Sequence, residues 1–147
     1  MEIVRELRAP VDATTLFAHV DDLDAYAGWM PLIHEVSALD VETGALPAWS
    51  VELQAQVGPF ARSKRLRMVR TELVPDRVAV FERREEDGKA HSSWILRADL
   101  TPGVDAASTD LTMTLSYGGS LWSGAVLQRV LDDQVRRGSD ALLALVS

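Results

Sequence analysis

Arg62, Lys64, Arg65, Arg67 and Arg70 crowd nine residues of the chain, and Arg83 follows not far behind. On a strand such a run divides between two faces, so it does not make one basic patch. Arg65 and Arg67 are read as facing solvent, with Glu52 opposite Arg65. Arg62 and Lys64 fall near a hairpin end, where an inner face meets water. Arg70 and Arg83 are expected on the inner face. A guanidinium is a planar, bidentate donor suited to a carboxylate or an enolate, and burying one without an anion is costly. Two partners are open to this pair. Glu72 or Glu85 would make it a structural ion pair, the simpler reading; a ligand's carboxylate or phenolate would make it an anchor for the acidic end of an apolar molecule.

Other chemistry is sparse. His19, His34 and His91 stand in separate segments without metal-ligand spacing, so no metal is expected. His34 would act as a general acid or base if its strand turned it inward; a hydrogen-bonded structural histidine is the plainer reading. Ser92 and Ser93 have no identifiable base. There is no cysteine, hence no thiol nucleophile, thiolate metal site or disulfide framework. Phosphate loop, dinucleotide glycine fingerprint and nucleophile elbow are all missing, so no cofactor is expected. Tyr26 and Tyr117 complete the possible proton donors. Trp29, Trp49, Trp94 and Trp122 individually suit a core, and their position at element ends suits a pocket.

The elements that must place these residues begin with a strand at Glu2–Arg8, stopped by Ala9-Pro10. A helix follows over Val11–Val20, with proline suited to its first turn, then a short helix over Asp21–Ala27. Six strands are read from there: Leu32–Val41, Trp49–Val57, Phe60–Leu73, Arg77–Glu85, Ala90–Leu100 and Asp110–Tyr117. Thr101–Thr109 reads as a surface loop. Leu121–Val146 is a proline-free amphipathic helix, roughly 40 Å long at 1.5 Å per residue, with Ser120 or Ser123 as its cap. Its inner stripe takes in Leu127, Val130, Leu131, Val135, Ala141, Leu142 and Leu145, but also polar Gln134 and bare Gly138. Such a stripe covers a cavity, or else Gly138 permits close approach and Gln134 bonds to backbone.

Gly58-Pro59, Pro75-Asp76 and Asp87-Gly88 are each read as two-residue connections, and together they set the pairing. The first places Trp49 opposite Met68 and Glu52 opposite Arg65. The second places Arg70 opposite Phe81 and Met68 opposite Arg83. The third places Phe81 opposite Trp94, Ala79 opposite Leu96 and Arg83 opposite Ser92. All three gather Trp49, Met68, Phe81 and Trp94 on one face, joined by Met113, Leu115 and Tyr117. One helix over so aromatic and methionine-rich a face suits a cavity on the order of a few hundred cubic ångströms; a filled core has the same pattern.

The chain's 147 residues, 47% of them hydrophobic and 25% charged, suit a single domain spanning 1–147. A net charge of −7 argues against a general nucleic-acid or anionic-membrane binder. No apolar run reaches membrane-spanning length and no signal-peptide pattern opens the chain, so a cytoplasmic protein is expected.

Strand, two short helices, six antiparallel strands and a long last helix form a helix-grip order. The chain resembles the START-like superfamily, which includes Bet v 1, polyketide cyclases/dehydrases and lipid-transfer domains. Ala9-Pro10, Phe17, Asp22-Leu23, Tyr26, Trp29-Met30-Pro31 and the Tyr117–Gly119 hinge carry the resemblance. It implies an α+β fold whose curved antiparallel sheet, about seven strands, carries the long helix across its concave face. It also implies a cavity for a hydrophobic small molecule, lipid- or polyketide-like. It carries no catalytic motif onto this chain. Trp29, Trp49, Met68, Arg70, Phe81, Arg83, Trp94, Met113, Tyr117, Leu131, Gln134 and Gly138 are the expected ligand-contacting residues. The rival readings are a polyketide cyclase or dehydratase and an accessory protein that binds a macromolecule.

Overall fold

In a computed structural model, which describes every residue except 106 and 119–123, the alternating apolar positions build one seven-stranded antiparallel sheet. Its strands are β1 (Glu2–Ala9), β2 (Ile33–Ala38), β3 (Ala48–Val57), β4 (Phe60–Val74), β5 (Val78–Arg83), β6 (Trp94–Pro102) and β7 (Thr109–Tyr117). They lie in the order β1-β7-β6-β5-β4-β3-β2. Helices α1 (Ala13–Phe17) and α2 (Leu23–Tyr26) bridge β1 to β2, and α3 (Ala125–Val146) closes the fold. This is the expected α+β helix-grip arrangement.

Both short helices start on aspartate. The Asp12 side chain accepts from the Thr15 amide at 2.8 Å, and that of Asp22 from the Asp24 amide at 2.9 Å. The first helix is therefore a five-residue turn that begins after Asp12, shorter than the Val11–Val20 expected. α3 begins at Ala125, with Gly124 at its N-cap and no side-chain cap bond. The expected caps Ser120 and Ser123, the turn from Leu121, and Trp122 lie outside the described residues.

Registers test the three turn readings separately. The Gly58-Pro59 hairpin forms as read: Val57 pairs Phe60, Glu52 pairs Arg65 and Trp49 pairs Met68, with Gly58 at φ 60°. The β4–β5 connection has three residues rather than two, since Val74 pairs Val78. Asp76 takes a left-handed φ of 62° there, a conformation aspartate tolerates better than most residues. A bulge between Arg70 and Glu72 then absorbs the extra residue, so Arg70 still opposes Phe81 and Met68 still opposes Arg83. The Asp87-Gly88 hairpin does not form. β5 stops at Arg83, β6 resumes at Trp94, and Phe81 pairs Leu96 while Ala79 pairs Ala98. Side chains end the ladder. Glu85 accepts the Arg67 amide at 3.2 Å, and the Arg67 guanidinium donates to the Arg84 carbonyl at 2.9 Å. Asp87 accepts from the Lys89 amide and contacts His91, closing a local turn out in the loop. The slip is two residues, which keeps every side chain on its expected face.

The core lies between the concave face and the helices. α3 buries Leu127, Leu131, Val135, Gly138, Ser139 and Leu142. A full burial of leucine contributes about 1.5–3 kcal/mol, so these positions hold the helix down. The expected stripe is rotated: Ala141 and Leu145 are exposed and Gln134 is half-buried. Ser139 replaces them by donating its hydroxyl to the Val135 carbonyl at 2.9 Å. A Cβ on Gly138 would fall 2.7 Å from the Met30 sulfur, so the glycine lets α3 lie against the segment that follows α2.

Candidate functional site

A small cavity sits where α3 crosses the sheet. Leu23 of α2, Met30 and Leu32 of the following turn, and Ile33 of β2 form one side. Val51, Leu53, Leu66, Met68, Trp94, Leu96, Met113 and Leu115 form the sheet side, and Val135 closes it from α3. Every lining residue is apolar, so the wall offers water no hydrogen bonds and favours an apolar group. The cavity holds about 40 Å³, well below the few hundred expected. Side chains fill the difference. Three of the chain's four methionines, Met30, Met68 and Met113, are in the wall. Methionine is unbranched and polarizable, and it adapts its shape to irregular space.

Beside the cavity lies a second region, built of rings. Trp49 meets Phe81 edge-on at 5.6 Å, Tyr26 meets Phe81 edge-on at 6.0 Å, and Tyr26 lies against Trp29 at 4.8 Å. Their polar ends tie the segment after α2 to the segment after α1, and α2 to the sheet. Trp29 Nε1 donates to the His19 carbonyl at 3.1 Å, and Trp49 Nε1 to Asp24 at 3.3 Å. The Arg70 guanidinium stands 5.8 Å from the Trp49 ring and donates to the Asp21 carbonyl at 2.7 Å.

Arg83 lies on the other side of Met68. Its side chain is 8% exposed and its Nε donates to Glu85 at 2.7 Å. Nη1 donates to the Ser92 carbonyl at 3.3 Å and its hydroxyl at 3.2 Å. Glu85 is thus the partner the sequence reading allowed; Glu72 instead lies 3.7 Å from Arg97. Lys64 is held below its ordinary lysine value by burial, and then by the charge of Arg83.

Of the expected contact residues, Met68, Trp94 and Met113 are in the wall. Trp29, Trp49, Phe81, Leu131 and Gly138 are buried around it. Tyr117 stacks on Trp94 at 5.3 Å. Arg70 and Arg83 have protein partners, and Gln134 is half-buried. His34 is exposed, because a register shift interrupts β2 between Ile33 and Glu35. Sequence reasoning passed over Leu23, Met30, Leu32 and Ile33. They sit at a helix–strand junction, where no single periodicity runs; the apolar pairs Trp29-Met30 and Leu32-Ile33 around Pro31 were the available signal. Among the described residues, no group of three or more histidine, aspartate or glutamate side chains is placed to hold a metal ion.

Such a sheet, gripping one long helix over an apolar cavity, defines a class of small α+β domains. Residues 9–143 match the family described as polyketide cyclase / dehydrase and lipid transport, and the chain belongs to it. Solved structures agree on the fold. A protein from Thermus thermophilus is 16% identical, with 99% of this chain and 97% of that one covered, at a TM-score of 0.74. A START superfamily protein from Mycobacterium smegmatis is 17% identical, covering 99% and 96%, at 0.72. The Zhui aromatase/cyclase from a Streptomyces species is 21% identical, covering 99% and 90%, at 0.56. Comparison with curated proteins found no match. No described helix is long and apolar enough to cross a membrane.

Proposed function

We propose that this protein binds a hydrophobic small molecule, lipid- or polyketide-like, between its curved sheet and α3. The observation that carries this reading is the wall of the cavity, apolar throughout and supplied by α2, the sheet and α3 together. Its methionines let the space enlarge by changing rotamer rather than by moving strands. Membership of a family described by both cyclase chemistry and lipid transport supports the same reading.

The cyclase or dehydratase alternative requires an acid or base at the substrate. None of the lining residues is ionisable, and His34 is exposed. Binding without catalysis is therefore the better-supported function. An accessory role would suit the small cavity but calls for a large exposed apolar patch. Among the described residues the most exposed apolar side chains are Phe60 of β4, Val104 of the β6–β7 loop and Val126 of α3, three separate elements.

Titration with fatty acids, sterols and aromatic polyketides tests the reading. Native mass spectrometry of freshly purified protein should retain a small molecule, and ligand should shift tryptophan emission through Trp94. Unchanged emission across all three ligand classes, with no adduct in the mass spectrum, would overturn it.

A further inference from the structure

The geometry points to the Tyr26 hydroxyl as a hydrogen-bond donor for a neutral carbonyl oxygen of the bound molecule. This rests on the binding reading above and narrows the class of ligand. Tyr26 is fully buried, and its hydroxyl has no hydrogen-bond partner. Buried hydroxyls are normally satisfied, and an orphan one calls for an explanation. Its position supplies one. Leu23, on the same turn of helix, is in the cavity wall, and so is Met30, whose amide donates to the Tyr26 carbonyl at 2.8 Å. The Tyr26 ring packs on Phe81, which pairs with the wall residue Leu96. Tyr26 is therefore not itself in the wall but stands in the layer behind it, its ring against Phe81 and Trp29 and its backbone bonded to the wall residue Met30.

The surroundings also select the ligand's chemistry. Asp21 is close enough to raise the Tyr26 phenol further, after burial has already raised it. The group stays a neutral donor throughout the physiological range. A ligand carboxylate brought to it would meet the Asp21 charge, while Arg83 is paired with Glu85 and Arg70 donates to the Asp21 backbone carbonyl. A ketone, quinone or ester oxygen meets no such repulsion.

The test uses 2-acetylnaphthalene and its hydrocarbon isostere 2-isopropenylnaphthalene, measured by equilibrium dialysis against wild type and Tyr26→Phe. Wild type should prefer the ketone. Tyr26→Phe should lose roughly tenfold in ketone affinity, a typical scale for one hydrogen bond plus its unpaired partner, and hold the hydrocarbon as before. The infrared carbonyl stretch of the bound ketone should sit at lower frequency in wild type than in the variant. Equal affinities in both proteins, an equal loss for both compounds, or a carbonyl stretch identical in the two would overturn this role while leaving hydrophobic binding intact. If wild type takes up neither compound and none of the lipids or polyketides above, the binding reading itself fails.

Discussion

Two neighbouring parts of the concave face treat bulky apolar side chains in opposite ways. Around the cavity, Met30, Met68 and Met113 meet leucines and valines and carry no polar tether. Beside it, Trp49 and Tyr26 close on Phe81, and Trp29 lies against Tyr26. There both tryptophan nitrogens are bonded to the α1–α2 segment. The two tethered tryptophans cannot turn without breaking hydrogen bonds, and they pack on Tyr26 and Phe81, so that half is locked. The methionine half changes shape at the cost of rotamer energy alone. Aromatic residues are the obvious pocket candidates in a sequence, yet here most of them hold the scaffold and the plainer aliphatic residues surround the space.

The comparison breaks most sharply at Phe81. Phe81→Ala should cost about 3–5 kcal/mol in denaturant unfolding, whereas Met68→Leu, a volume-conserving swap across the boundary, should cost less than about 1.5 kcal/mol. Similar losses for both would mean that the two halves are equally rigid.

Arginines sharpen it next. Arg83→Met should cost about 3 kcal/mol, because it leaves Glu85 shielded and without its charge partner. Arg70→Met should cost nearer 1.5 kcal/mol, since it frees only a neutral carbonyl. If instead Arg83→Met unfolds like wild type and weakens only the binding of acidic ligands, Arg83 acts as a ligand anchor.

At the seam of the two halves, Gly138→Leu should overpack Met30 and cost about 1–3 kcal/mol. Met30→Ala in the same chain should recover part of the loss, measured as a double-mutant cycle. Absence of any coupling would place the helix farther from Met30 than the structure has it.

The smallest effect is confined to alkali. Burial raises both phenols, Tyr26 and Tyr117. The folded chain then keeps protons that the unfolded chain releases above about pH 10. The stabilising difference is complete below that pH and is lost as the pH climbs toward the folded value. Unfolding curves above pH 10 should fall more steeply for wild type than for Tyr26→Phe; parallel curves would mean that Tyr26 is not held in the locked half.

Much of this was legible in advance, for a reason visible in the strands. A register error of two residues in β5–β6 moved Phe81 from Trp94 to Leu96 and left the face unchanged. A three-residue turn and a one-residue bulge cancelled in β4–β5. Faces survive such errors because side-chain direction repeats every two residues. The helix tolerated less: a modest rotation exchanged Ala141 and Leu145 for Ser139, since a wheel has no sharp edge between inside and outside.

The sequence by itself determined the order of elements, the inward face of each strand and the presence of one long helix over an apolar surface. Local periodicity and turn chemistry act over a few residues, and they are written there. Tertiary structure alone decided how much space was left under α3, which carboxylate met Arg83, and that the Tyr26 hydroxyl was buried without a partner. Each depends on distances between residues far apart in the chain, and volumes and pairings of that kind follow from packing rather than from any local pattern.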